Sequence, residues 1–217
     1  MRYALVPVKD LTLAKKRLSP LLSPTERHTL ARAMLDDVLM ALQQASVFER
    51  IALVTMDFHA LSVAVQRGFE VIDERSGRGE TEAVELAVKV CRERGATSLA
   101  VIPGDIPLLR AADIDCVIEH GRQHEIVIVP SWDSRGTNVV LLRPPDALAL
   151  RFGSWSFFPH VKKAKRLGLS YKVVRLSRVA LDVDTPDDLA RLVPQAMGTK
   201  SYAVLEEMGL LGRIQGR

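Results

Sequence analysis

Ser98-Leu99-Ala100-Val101-Ile102-Pro103-Gly104-Asp105-Ile106-Pro107 is the stretch around which the rest of the chain is organised. Residues 98–102 form a short apolar run, too brief for a helix and bounded by turn formers, so they read as a buried strand. Pro103-Gly104 stops it, and Pro107 holds the following turn away from helical geometry. Asp105 is therefore a lone carboxylate at the carboxyl end of an interior strand, where open α/β sheets bind their ligands. Two readings stand: an aspartate that closes a turn or caps the next helix, or a ligand for a hard divalent cation on a nucleotide triphosphate, which needs only one or two protein carboxylates.

Outward from that strand the chain alternates. Residues 3–8 read as a first strand, with Lys9 at its carboxyl end, on the rim of Asp105 if the two strands are parallel neighbours. Ser23-Pro24-Thr25-Glu26 is a capping box with proline at the first helical position. The helix it opens runs to about Ala45 and buries Leu30, Met34, Val38 and Leu42. Strands over 50–55 and 69–73 flank a helix over 60–67, and a helix over 80–94 leads into the Asp105 strand. Strands separated by helices predict parallel pairing with right-handed crossovers. A helix over 111–122 and a strand over 125–130 follow. Then the polar turn 131–138 passes to a strand over 139–142 with no crossover helix, which predicts an antiparallel pair. Residues 146–150 read as a helical turn, 161–167 as a helix and 171–176 as a strand. The expected fold is α/β: one domain over residues 1–217, with a mixed, mostly parallel sheet flanked by helices.

Composition narrows the function. The chain has 217 residues, 47% of them hydrophobic, enough for one sizeable core. Cys91 and Cys116 fall in predicted helices without metal-ligand spacing and read as reduced core thiols. The apolar run 3–8 is too short for a signal peptide and no stretch approaches a membrane span, so the expected location is cytoplasmic. A net charge of +4 without a basic, aromatic-interleaved stripe argues against nucleic acid. Arg2, Lys9, Lys15, Lys16 and Arg17, against Asp10, point instead to a small anionic ligand. Lys162, Lys163, Lys165 and Arg166 read as a solvated helix face or, alternatively, a phosphate site. His28, His59, His120, His124 and His160 all fall in predicted helices or at their ends, and none marks a strand end.

Near the carboxyl end, Thr185 is placed to cap a helix with Pro186 at its first position, which accounts for Asp187 and Asp188 through the helix dipole. Asp182 and Asp184 are left over, on what reads as a strand end. Residues two apart on an extended segment project from one face. Like charges so placed repel unless a cation sits near them; the other reading is an exposed pair in a polar loop.

Five segments, LVPVKDLTLAKKRLSPLLSPTER (5–27), VIPGDIPLL (101–109), GTNVVLLRPP (136–145), RFGSWSF (151–157) and LDVDTPDDL (181–189), together resemble the 2-phospho-L-lactate or phosphoenolpyruvate guanylyltransferases of coenzyme F-420 biosynthesis. The resemblance implies the nucleotide-diphospho-sugar transferase (GT-A-like) fold. It implies Mg2+ on Asp105 and Asp182, assisted by Asp184. It implies a phosphorylated three-carbon acid held at Thr137, Gly153 and Ser156, and GTP served by Lys9, Lys16 and Arg17, with Gly79, Glu80, Thr81 and Gly104 at the nucleotide. The family usually has a Gly-Leu-Asn-like sequence where this chain has Gly77-Arg78-Gly79-Glu80-Thr81. A carboxylate at Glu80 is able to accept from the N1 and N2 donors of guanine. The implied reaction is in-line transfer of GMP to the acceptor's phosphate. Two rivals are a nucleotidyltransferase of the same fold with another nucleotide or acceptor, of the CTP or molybdopterin kind, and a non-catalytic nucleotide-binding module. The tail 201–217, with Val204, Leu205, Met208, Leu210 and Leu211, is expected to fold back on the core or to meet a second copy in a homodimer.

Overall fold

A computed structural model describes residues 1–73, 79–153 and 155–215, apart from the side chains of Glu80 and Gln215. The strands are β1 (Arg2–Val8), β2 (Arg50–Thr55), β3 (Glu70–Asp73), β4 (Ser98–Val101), β5 (Ile126–Pro130), β6 (Thr137–Leu142) and β7 (Tyr171–Val173). They form one sheet in the order β3-β2-β1-β4-β6-β5-β7. β1 is parallel to β2 and β4, β2 to β3 and β5 to β7; β6 alone runs antiparallel, between β4 and β5. The polar turn before β6 is too short for a crossover, so the strand must reverse beside β5, as its spacing predicts.

The strand alternation explains why interior strands read as unbroken apolar runs. Ala4, Val6 and Val8 of β1 face one layer and Tyr3 and Leu5 the other. The first layer holds α1 (Pro24–Ala45) through Leu30, Met34, Val38 and Leu42, and α4 (Ala111–His120). The second holds α3 (Glu80–Glu93) through Ala83, Ala87 and Cys91. The capping box closes as expected: Glu26 N–H donates to Ser23 Oγ (3.3 Å) and Ser23 N–H to Glu26 Oε2 (2.6 Å). Both cysteines are free, and burial pushes the Cys91 thiol up to about 11.

Several local expectations are corrected. Helix α2 (Phe58–Gln66) begins two residues early because Asp57 caps it, accepting from Ala60 N–H at 2.9 Å. Helix α5 (Phe157–Arg166) begins at 157 rather than 161, since Pro159 falls in the first turn, where its missing N–H costs nothing. Residues 146–150 run from a turn through bends into irregular chain, not a helical turn. Residues after Val173 leave the sheet; Ser177–Ala180 form a short helix, α6, and 181–184 run without a ladder, so Asp182 and Asp184 sit on a loop instead of a strand end. Helix α7 (Pro186–Leu192) follows, capped by Thr185.

The tail folds back. In α8 (Lys200–Glu207) the N–H groups of Lys200 and Ser201 and the Ser201 hydroxyl donate to Asp37 of α1 at 2.7, 2.9 and 2.6 Å, and Leu205, Leu210 and Ile214 are buried. Among the described residues, no helix is long and apolar enough to cross a membrane.

The topology sets the site. Parallel β1 and β4 end on one rim, carrying Lys9 and the 103–107 turn. Because β6 is antiparallel, with Val140 opposite Val101, its first residues Thr137 and Asn138 overhang that same rim.

Candidate active site

The carboxylates meet where two loops are tied together. Val183 N–H donates to the Asp105 carbonyl at 3.1 Å, fixing the 181–185 segment to the turn after β4. Lys15 closes the junction: its Nζ lies 2.6 Å from Asp105 Oδ2 and 2.8 Å from Asp184 Oδ1. The lysine backbone is left-handed (φ 55°), between 3-10 turns at Leu11–Leu13 and Lys16–Leu18, and its side chain is only 7% exposed. A non-glycine residue in that region costs on the order of 1–3 kcal/mol and persists where the surroundings over-determine it. Burial alone would lower its pKa, but Asp105 and Asp184 outweigh burial and raise it, so the ammonium stays charged.

Asp182 is held differently. Asn138 Nδ2 donates to Asp182 Oδ1 (3.1 Å) and to the Val179 carbonyl (2.8 Å), while Arg178 grips Asp113 of α4 through Nε (2.9 Å) and Nη2 (2.7 Å), anchoring α6 behind it. Burial, then the charge of Asp105 and to a lesser degree that of Asp184, pushes the Asp182 carboxyl up to about 6, against the Asn138 hydrogen bond. Burial also pushes Asp184 up, but Lys15, with Arg17 and Lys9 behind it, outweighs burial and holds it below the usual carboxylate range.

The residues suit magnesium. Asp105 and Asp182 offer oxygen donors only, and Asp182 stands short of positive charge because Lys15 bonds to Asp105 and Asp184. Among the described residues no three acidic, imidazole or thiol groups form a metal cage. Magnesium binds through one or two protein carboxylates, keeps several waters and completes its shell with substrate phosphates.

Two basins share this junction. One, of about 410 Å³, is lined by Asp182, Thr137, Asn138, Gly153 and Ser156, together with the exposed residues Arg17, Arg135, Trp132 and Trp155. The other, of about 480 Å³, lies against α1 and is lined by Lys9, Lys15 and Gly104. Pro7, Pro103, Asp105 and Asp184 line both. Thr137 N–H donates to Ser156 Oγ at 2.9 Å, and Gly153 turns the 151–156 loop with φ +135°, a value that favours glycine. Arg135 stacks on Trp155 (4.8 Å) and Arg191 on Trp132 (4.0 Å). Gly104 has a packing reason of its own: a Cβ there would stand 3.0 Å from Leu35 Cδ1 of α1.

Three of the residues expected at the nucleotide line neither basin. Lys16 is exposed and lines neither basin. Gly79 precedes α3 with φ +122°, and Thr81 Oγ1 accepts from Phe152 N–H (3.3 Å), tying α3 to the 151–156 loop; neither residue is among those lining the two basins. The Glu80 side chain and residues 74–78 lie outside the described residues. Sequence reasoning missed Lys15, Asn138 and Arg135. Lys15 and Asn138 stood inside the quoted segments, but nothing in linear spacing separates Lys15 from Lys16.

A mixed sheet with a reversed strand inserted beside a carboxylate-bearing turn defines a nucleotide-diphospho-sugar transferase type of fold. The solved structure of a putative nucleotide-diphospho-sugar transferase from Desulfovibrio desulfuricans G20 matches it with a TM-score of 0.79 at 20% identity, over 98% of this chain and 96% of that one. The family model described as guanylyl transferase CofC like matches residues 2–215, and the chain belongs to that family. It is 39% identical to the phosphoenolpyruvate guanylyltransferase of Conexibacter woesei, over 98% of this chain and 96% of that one. It is 37% identical to the 2-phospho-L-lactate guanylyltransferase of Methanothermobacter thermautotrophicus, over 94% and 90% respectively. The protein is a nucleotidyltransferase.

Proposed function

We propose that this enzyme transfers GMP from GTP to the phosphate of a small three-carbon phospho-acid, 2-phospho-L-lactate, phosphoenolpyruvate or 3-phosphoglycerate, releasing pyrophosphate as a magnesium-dependent step of coenzyme F-420 biosynthesis in the cytoplasm. The observation that carries this reading is Asp105, a carboxylate on the wall common to two basins, with Asp182 on one side and Lys15 on the other. Two polyanions must meet there, and carboxylates alternating with a buried ammonium at their junction are what such a meeting needs.

The acceptor basin places the Thr137 and Ser156 hydroxyls and the Gly153 backbone beside the carboxylates. The other basin offers Lys9 and Lys15 to the nucleotide's phosphates, and Arg17 adds a guanidinium to the acceptor basin. Asp105 and Asp182 would hold magnesium, which supplies Lewis-acid charge at the phosphoryl oxygens. An acceptor phosphate oxygen forms the new bond to the α-phosphorus as the bond to the β-phosphate bridging oxygen breaks, and pyrophosphate leaves with that electron pair. The acceptor is already mostly dianionic at neutral pH, its second pKa being about 6, so no general base is required. Accordingly, no histidine is among the residues lining either basin.

The test is pyrophosphate release from GTP, CTP, ATP and UTP, each against the three acids, with and without magnesium. Release with GTP and one of the acids, and only with magnesium, is expected. Release that ignores the acid, or a preference for CTP, would overturn the proposal.

A further inference from the structure

His160 has no place in the transfer chemistry just described, yet it is 2% exposed and both its ring nitrogens are engaged. Arg151 donates its backbone N–H to Nε2 at 3.1 Å, and Nδ1 lies 3.0 Å from Thr137 Oγ1. A backbone N–H is only ever a donor, so Nε2 must present its lone pair. Burial, reinforced by the Lys163 charge, holds the ring pKa down to about 4, so the imidazole is neutral at pH 7 and its one hydrogen sits on Nδ1. Nδ1–H then donates to Thr137 Oγ1, which fills an acceptor site on that oxygen and leaves the hydroxyl hydrogen directed away from the ring. Ser156 is in the same position by another route, because its Oγ accepts the Thr137 N–H and keeps its own hydrogen to give.

We propose that His160 is a positioning residue: through the Arg151 N–H and Nδ1 it orients the Thr137 hydroxyl as a hydrogen-bond donor, making with Ser156 a donor pair for a carboxylate or phosphate oxygen of the acceptor. This rests on the acceptor reading given above. Hydrogen bonds to a charged acceptor are the stronger ones, so two donors aimed at one point favour an ionised carboxylate or phosphate oxygen over the neutral carbonyl of its ester or amide.

The first measurement is made on the full chain without substrate: long-range 1H–15N correlation of the histidines at pH 7. An Nδ1–H ring at His160 is expected; an Nε2–H tautomer or an imidazolium overturns the inference whatever the acceptor proves to be. The second is steady-state kinetics. His160→Leu is expected to raise the acceptor KM about tenfold, the loss of one hydrogen bond to a charged group, with the GTP KM within about twofold. His160→Asn, which keeps an amide donor near the Nδ1 position, restores the acceptor KM to within about threefold of wild type. Thr137→Val matches His160→Leu, and the double variant is no worse than either alone. A lowered melting temperature with equal movement of both KM values in every His160 variant would overturn the inference by assigning a structural role. An Nδ1–H ring together with turnover that needs no phospho-acid would instead sink the acceptor reading, and the donor role with it, while leaving the hydrogen bond itself established.

Discussion

The two basins at Asp105 are built on opposite plans. On the acceptor side the polar groups are buried and already paired with one another: Thr137 N–H to Ser156, Thr137 Oγ1 to His160, Asn138 to Asp182. They come from β6, the start of α5 and the 181–184 loop, three elements locked by Phe157 N–H on the Arg135 carbonyl (3.0 Å) and Trp132 N–H on the Ala180 carbonyl (2.9 Å). On the other side the cations are Lys9 and Lys15, both from the stretch that follows β1; Lys9 is exposed and the Lys15 side chain is buried. On the proposed assignment of the basins, the difference would have the acceptor recognised by shape and the nucleotide by charge. Preorganised donors in a desolvated wall discriminate geometry and hydrogen count, whereas exposed cations supply attraction that salt screens.

The comparison is broken most forcefully at its common wall. Asp105→Asn is expected to lower kcat about a thousandfold at saturating magnesium while far-UV circular dichroism stays native. Wild-type turnover would remove Asp105 from the chemistry. Lys15→Met leaves Asp105 and Asp184 facing each other without their cation, and about a hundredfold loss of kcat is expected. A change confined to the GTP KM would assign Lys15 to one basin alone.

A paired measurement sharpens the division. Ser156→Ala should raise the acceptor KM about tenfold and leave GTP nearly unmoved, and Lys9→Ala should do the reverse, with its effect shrinking as salt rises. Parallel shifts in both variants would merge the two basins into one.

The smallest expected effect is a stability slope on the locked side. The folded-state pKa of His160, about 4, lies below the value of about 6.5 for the unfolded chain. Between those values the unfolded chain binds a proton that the folded one refuses, so stability falls as pH falls through this window. From pH 7 to pH 5.5 the loss is about 1 kcal/mol. The groups around the ring are Thr137, the Arg151 N–H, the Phe152 ring at 6.2 Å and Lys163. Thermal melts of wild type and His160→Asn at both pH values check this: the drop should be larger in wild type by a few degrees.

Much of this was legible in the chain before any coordinate. The capping box at Ser23–Glu26, the unbroken apolar strands and the short turn before β6 are local signals, each set by backbone chemistry within a few residues. Asp182 and Asp184 announced themselves because the Thr185 cap explained their neighbours and not them. The 177–180 helix was not legible, since four residues carry no periodicity, and the β-prone run 171–176 leaves β5 after the Val174 N–H bond to the Ile128 carbonyl (2.9 Å).

What the sequence determined by itself, then, is the layered α/β architecture and the carboxylates that no cap explains, because hydrophobic period, caps and chain reversal are properties of contiguous residues. Only the tertiary structure decided that Lys15 and not Lys16 seals the carboxylates, that Asn138 restrains Asp182, and that His160 sits behind Thr137. Those choices depend on a left-handed backbone and on contacts between residues up to 169 positions apart. No linear pattern encodes them, because a side chain's direction is settled by the packing that surrounds it.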